Sequence, residues 1–301
     1  MRIGILTRNP SLYSTRRLLE TCRHRGHNAI LIDTIRAAIQ LTRITSRNPH
    51  PRLTSVDGLI PRVGTSITQY GIMVVRHYES QGVFLTATAS AIGNSRDKYA
   101  SMRILTRADI PVPHTMLVSS TPELLPAIEK MGGFPIVLKQ RQGTQGRGVM
   151  LVHDLEMLQR LINVWQTSPL QLLVQEFVPE AQGKDFRIIV VGNRCVAAME
   201  RSAPVGDFRA NLHQGGVAKE IALPAHLEKL ALRAAAALHL SVGGIDVIES
   251  SRGPLVLEAN SSPGLEGIER VTQQDVAGHI VSYLEQQQRQ TSRLRRHRRR
   301  R

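Results

Sequence analysis

The chain has 301 residues, a formal net charge of +15, 42% hydrophobic residues and 21% charged residues. That length admits one large domain or two to three smaller ones, and no run of about 18 apolar residues is present that would span a bilayer. The only cysteines, Cys22 and Cys195, lack metal-ligand spacing, which argues against a disulfide framework or a thiolate zinc site and for the reducing cytoplasm.

The opening Met-Arg-Ile-Gly-Ile-Leu-Thr-Arg turns polar too soon for a signal peptide and reads as a first buried strand over 2–7. A helix over about 14–25, strands over 29–33 and 56–62, and a helix starting near Ser66 follow. This alternation predicts a parallel sheet with covering helices in the first 90 or so residues. No Gly-x-Gly-x-x-Gly follows the first strand, so the usual dinucleotide fold is not supported. From Ser95 a helix is expected through Arg107, stopping before Ile110-Pro-Val-Pro113, and another over about 122–131 ends at Gly132-Gly133. Strands at 134–139 and 148–152, a helix at 155–164, and strands at 172–177 and 186–191 come next. Gly192-Asn193 then turns tightly into a strand at 194–200. Helices over 225–240 and about 273–288 complete the pattern, with no internal repeat.

The segment 293–301 holds seven arginines, and removing them leaves +8 on the other 292 residues. This end repels itself and cannot bury a core, so residues 289–301 are expected to be disordered. It could bind nucleic acid by counterion release or be a solvated appendage. The basic body points separately to an acidic substrate.

The most informative segment is Gly244-Ile-Asp-Val-Ile-Glu249, a turn-forming Ser-Ser-Arg-Gly, and Pro254-Leu-Val-Leu-Glu-Ala-Asn260. It reads as a hairpin. Side chains alternate along a strand, so Glu258 and Asn260 share a face. A loop centred on Arg252 would set Asp246 opposite Glu258. Three oxygen ligands would then converge, a set suited to Mg²⁺ or Mn²⁺ held largely through substrate phosphates. The alternative is a solubilising surface hairpin.

Further upstream, Gln140-Arg-Gln-Gly-Thr-Gln-Gly-Arg-Gly148 joins two strands. Its Gly143 and Gly146 let backbone N–H groups approach an anion, as a lid over a triphosphate requires, although mobile surface hairpins look the same. Lys139, inside an apolar strand, needs either a bound phosphate or a carboxylate partner. Gln175-Glu176-Phe177-Val178 could grip an adenine or simply end a strand, and Asp185 could hold ribose hydroxyls or cap a turn. In the excursion from Glu200 to Gly216, Arg201, Arg209 and Asn211 can steady phosphate oxygens. His213 is a weaker general-base candidate, and Lys98 alone reads as a surface lysine.

Taken in order, these stretches resemble the ATP-grasp ligases, and specifically the RimK-type alpha-L-glutamate ligases, from residue 1 to about 288. The resemblance is carried by Pro61-Arg-Val-Gly-Thr65, Arg96-Asp-Lys98, Gly143-Thr-Gln-Gly146, Val174-Gln-Glu-Phe177 and Glu180-Ala-Gln-Gly183. Two further stretches are distinctive of this branch: Gly206-Asp-Phe-Arg-Ala-Asn-Leu-His213, and Glu258-Ala-Asn-Ser-Ser-Pro-Gly-Leu-Glu-Gly-Ile-Glu269.

The resemblance implies a mixed α/β and α+β chain. A Rossmann-like pre-ATP-grasp domain over 1–92 would precede a two-subdomain ATP-grasp fold over 93–288. The lid subdomain would cover about 112–174, the C-terminal subdomain about 175–288, and the arginine-rich end lies outside the family pattern. It implies ATP as cosubstrate, with Lys98 and Lys139 on phosphates, Glu176 and Phe177 at the adenine and Asp185 at the ribose. Arg209, Ala210 and Asn211 would line the nucleotide site, and Asp246, Glu258 and Asn260 would hold two divalent cations. The implied reaction adds L-glutamate to the C-terminal glutamate of the sixth protein of the small ribosomal subunit, or makes free poly-alpha-glutamate. A homo-oligomer is expected with it, and no membrane partner; the arginine end, outside the family pattern, could dock on rRNA, attract growing polyglutamate, or do nothing. Two other readings stay open: a relative joining an amino acid to a carrier protein's terminal glutamate, and an RNA-associated factor with a vestigial ATP site.

Overall fold

The structure is a computed structural model that describes residues 1–39, 54–141, 148–164, 171–212 and 215–298. The first unit runs β1 (Arg2–Thr7), α1 (Tyr13–His24), β2 (Asn28–Asp33), β3 (Gly58–Arg62), α2 (Thr68–Ser80) and β4 (Phe84–Leu85). Its strands form the expected parallel sheet in the order β2-β1-β3-β4. β1 is buried along almost its whole length and reads as a near-continuous apolar run, as a strand covered on both faces must.

Next come α3 (Ala89–Arg96) and α4 (Lys98–Arg107). The single helix expected from Ser95 is in fact two. Asp97 has extended backbone, and its carboxylate accepts from Tyr99 N and Ala100 N, which starts a new helix at Lys98.

A second, antiparallel sheet is built from β5 (Thr115–Val118), β6 (Ile136–Gln140), β7 (Val149–Val152) and β8 (Leu172–Glu176) in the order β5-β8-β6-β7, with α5 (Leu124–Lys130) and α6 (Leu155–Val164) over it. β5 has no counterpart among the sequence expectations, because at four residues between Pro113 and Ser119 it is too short to show a period. Ile136 and Leu138 enter the core shared with the helices. The alternate residues Val137 and Lys139 therefore face the other way.

The third sheet is antiparallel, in the order β11-β10-β9-β12-β13. It comprises β9 (Lys184–Val191), β10 (Arg194–Ser202), β11 (Val217–Glu220), then α7 (Ala225–Ala237), β12 (Val242–Ile248) and β13 (Leu255–Asn260). Ile188, Val190 and Ile245 pack on α7. On the opposite face Ile189, Val191 and Val242 join Ile3, Ile5 and Leu18 in one core with α8 (Glu266–Thr272) and α9 (Val276–Arg298). The first unit is thereby locked to this sheet.

α9 continues through Arg298, so the disorder expected from residue 289 gives way to helix up to that point. Glutamine, arginine and leucine are good helix formers, and the strand of positive charge does not prevent their helical backbone. Residues 299–301 lie outside the described residues. Among the described residues, no helix is long and apolar enough to cross a membrane.

Candidate active site

β9 is the centre of the third sheet, and its odd-numbered residues share a face. Ile189 and Val191 bury one end of that face in the core, while Asp185 and Arg187 occupy the other end. Cross-strand register then builds a row of charges. Arg187 faces Asp246 of β12, Asp246 faces Glu258 of β13, and Asp185 faces Arg201 of β10. Asp246 faces Glu258 as expected, but not through the loop alone: the pairs next to the loop, Ile248 with Leu255 and Val247 with Val256, would set Asp246 against Leu257, and a register shift between Asp246 and Val247 brings it to Glu258. Gly244 faces Asn260, and a Cβ at Gly244 would lie 3.0 Å from Pro263 Cβ, because the chain after Asn260 folds back across the strand.

Asp246 is buried, at 5% exposure. Arg187 donates to both of its oxygens, from Nε at 2.7 Å and Nη2 at 2.5 Å, and Arg201 Nη2 lies 3.0 Å from Oδ2. Burial pulls its carboxyl pKa up, but the two guanidiniums outweigh that and hold it low. Arg201, 3% exposed, also makes a two-pronged contact with Asp185, Nε and Nη2 each donating at 2.6 Å. Burial pushes the Asp185 carboxyl up despite this partner, with Asp246 adding to the effect. These placements revise two expectations. Asp185 borders the cleft, but its carboxylate is engaged by Arg201 rather than turned to a ribose, and Arg201 lies between two aspartates in the sheet rather than against phosphates. A buried aspartate beside a second aspartate needs a fixed cation, and the register supplies it.

Above this face, Val137 and Lys139 of the second sheet border a cleft whose free space, the solvent at its mouth included, is about 910 Å³. Lys98, Lys139, Glu176, Phe177, Asp185, Arg209, Ala210, Asn211 and Glu258 all line it, as the sequence reading requires of a single site. Its walls also include Val149, Phe208, Ile248 and Leu257, which the sequence reading did not single out. Val149, Ile248 and Leu257 lie on three separate strands and Phe208 in the loop after β10, and none carries a polar signal. The Phe177 and Phe208 rings meet edge to face, with centroids 6.4 Å apart, and the Arg209 guanidinium lies 5.8 Å from the Phe208 ring centroid. Together they line an aromatic slot on one side of the cleft. Gly143, Gly146 and His213 lie outside the described residues.

At the base of the slot, Glu176 accepts from His114 N at 2.9 Å and from Arg252. Lys139 is 9% exposed. Burial pushes its pKa down to about 8 and neighbouring Lys98 pushes the same way, against the pull of Glu258 and Asp246. A cation held below its ordinary range in a cleft is primed for an anion. Arg209 pairs with Asp207 at 2.8 Å, which holds that carboxyl down at about 2. Burial pushes the Cys22 and Cys195 thiols up to about 12, so neither is a nucleophile.

The donor set fits hard divalent cations. Glu258 is exposed to the cleft, Asp246 retains lone pairs beyond its arginine contacts, and Asn260 Oδ1 accepts from Ser262 N at 2.9 Å, which leaves it a further lone pair. No group of three or more His, Cys, Asp or Glu side chains that could hold a metal ion occurs among the described residues. A bound ion would therefore take its remaining ligands from phosphate oxygens and water. Arg187 was missed in the sequence. The available signal was its period-two spacing from Asp185 within an otherwise apolar strand.

Residues 1–92 match the RimK PreATP-grasp domain and residues 95–284 the RimK-like ATP-grasp domain. A protein named "Probable alpha-L-glutamate ligase" from Cellvibrio japonicus is 44% identical over 291 residues, covering 95% of this chain and 96% of its own. One of the same name from Shewanella loihica is 45% identical over 290 residues, covering 95% of each chain. Among solved structures, a RimK domain ATP-grasp protein from Sphaerobacter thermophilus superposes with a TM-score of 0.74 at 24% identity, covering 94% of this chain and 99% of that one. The ATP-grasp ligase PsnB, complexed with a minimal precursor, superposes at 0.73 with 18% identity, covering 95% and 98%. At those identities the structures establish the fold, while the domain matches and the sequence relatives establish more. The chain belongs to the RimK-like ATP-grasp family and is an ATP-dependent ligase.

Proposed function

We propose that this protein uses ATP to join the amine of L-glutamate to the C-terminal carboxylate of an acidic polypeptide, extending it by successive glutamates. The observation that carries this reading is the cleft itself. It places two lysines, an aromatic slot and the cleft-facing Glu258 in one space, within a chain whose relatives are named alpha-L-glutamate ligases. The acceptor in this proposal is the sixth protein of the small ribosomal subunit, with free poly-alpha-glutamate as a second product. The net charge of +15 supports an acidic partner, and the arginine-rich end supports an rRNA contact near it. A cytoplasmic site and a homo-oligomeric state belong to the same proposal.

A carboxylate is a poor electrophile, and phosphorylation by ATP turns it into an acyl phosphate that an amine can attack. In this reading Phe177 and Phe208 hold the base, Lys98 and Lys139 draw the phosphates down, and Arg209 and Asn211 face the transferring group. Asp246, Glu258 and Asn260 would hold two Mg²⁺ or Mn²⁺ ions, which when bound neutralise charge on the phosphoryl oxygens. The sheet bearing Val137 and Lys139 roofs the site and keeps water from the activated carboxylate.

Incubating the protein with ATP, Mg²⁺ and single amino acids, and following phosphate release, tests this. Glutamate alone is expected to respond. A response to a different amino acid would instead favour a ligase serving a carrier protein's terminal glutamate, and RNA binding without turnover would overturn the enzyme reading.

A further inference from the structure

Arg62 and Arg96 differ from Arg187, Arg201 and Arg209 in having no carboxylate partner among the described residues. Arg62 ends β3, where it pairs with Thr7, the last residue of β1. In the order β2-β1-β3-β4 the chain leaves β1 toward β2 and returns on the other side at β3, so the carboxyl ends of β1 and β3 flank the topological switch point. Open α/β sheets bind ligands at that place. Arg96, at the end of α3, is brought to the same location and lies close enough to Arg62 to repel it.

Their hydrogen bonds are to neutral groups. Arg62 Nη2 donates to Pro263 O at 2.8 Å, and Arg96 donates to Val63 O at 2.6 Å and to Thr65 Oγ1 at 3.4 Å. Among the described residues neither arginine forms an ion pair with an acidic side chain, and Arg96 Nε is buried without a hydrogen-bond partner. The neighbouring Ser261 hydroxyl is likewise buried and unpartnered. As whole residues, Arg62 and Arg96 each keep a partial exposure to solvent. Burial lowers both pKa values, that of Arg62 to about 10 with Arg96 contributing, while the carboxylate of Glu258 acts on Arg96 in the opposite sense.

Two adjacent cations without a fixed counter-ion are costly to a fold. The forked geometry of guanidinium matches a carboxylate two oxygens at a time. We propose that Arg62 and Arg96 form the subsite for a spectator carboxylate of a glutamyl substrate, beside the metal-ligating Glu258. This assignment rests on the ligase reading above and extends it: the N-terminal unit, none of whose described residues lines the nucleotide cleft, contributes to substrate selectivity through Arg62. The carboxylate belongs either to the incoming glutamate or to the acceptor's terminal residue.

The test is calorimetric titration of L-glutamate and, separately, of the dipeptide glutamyl-glutamate into protein loaded with AMPPNP and Mg²⁺, for wild type, Arg62→Gln and Arg96→Gln. Expected is a loss of at least about tenfold in affinity for one or both probes in each variant, with AMPPNP affinity unchanged and thermal stability equal or higher. Loss confined to glutamate assigns the carboxylate to the incoming amino acid, and loss confined to the dipeptide assigns it to the acceptor. The assignment falls if wild type binds neither probe, if the variants bind both as tightly as wild type, or if AMPPNP affinity declines in parallel. A wild type that binds the probes through these arginines yet releases no phosphate would sink the ligase reading and leave the subsite standing.

Discussion

Asp246 and Glu258 are direct partners across the β12–β13 ladder, yet they live in opposite electrostatic circumstances. The Asp246 carboxylate is gripped by Arg187 and Arg201, whereas among the described residues no hydrogen bond or ion pair to Glu258 is found and it faces the cleft. One carboxylate is therefore part of the sheet's internal charge balance, and the other is available to a ligand.

Their substitutions should separate accordingly. Glu258→Gln is expected to abolish ATP turnover with little change in melting temperature. Asp246→Asn leaves two arginines undercompensated in a buried position and is expected to cost about 3–5 kcal/mol of stability as well as turnover. Phosphate release beside thermal denaturation distinguishes the two, and equal destabilisation by both variants would contradict this division.

Asp185→Asn bears on the ribose. Because the Asp185 carboxylate is committed to Arg201, the substitution should lower stability and kcat while the ratio of KM for 2′-deoxy-ATP to KM for ATP stays at the wild-type value. A change in that ratio would return Asp185 to the sugar.

Lys139 carries a cost in the free protein. Its pKa, about 8 when folded against 10.5 normally, means the folded chain holds fewer protons than the unfolded chain between those values. Stability should therefore rise with pH across that window, and below it the burden amounts to about 3 kcal/mol at most. Lys139→Met is expected to melt higher than wild type at pH 7, to lack that alkaline gain, and to lose ATP turnover. Urea denaturation at pH 7 and pH 10 measures the first two.

Glu285 gives the opposite dependence. Its contacts with Arg25 at 2.9 Å and His27 at 2.7 Å tie α9 to the first unit and hold its carboxyl down at about 2, against an ordinary 4.5. The stability it contributes is present above about pH 4.5 and is lost as pH falls toward 2. Glu285→Gln should denature more easily than wild type at pH 7, with the two curves converging in acid. A constant gap at all pH values would show that the contact acts through packing alone.

The sequence by itself determined what local periodicity and turn centring can determine. The hairpin brings Asp246 opposite Glu258, although through a register shift that turn centring does not foresee, and strand alternation puts Lys139 on the side opposite Ile136 and Leu138. The first sheet was legible for the same reason, since its strands and helices alternate within 90 or so residues. Only the tertiary structure decided who balances whose charge. Arg187 reaches Asp246 across 59 positions, and Arg62 reaches Pro263 across 201. The division of Arg201 between two aspartates, which moves it out of the phosphate site, follows from three strands meeting side by side. Coulomb energy depends on distance and hydration in space, and neither is carried by separation along a chain.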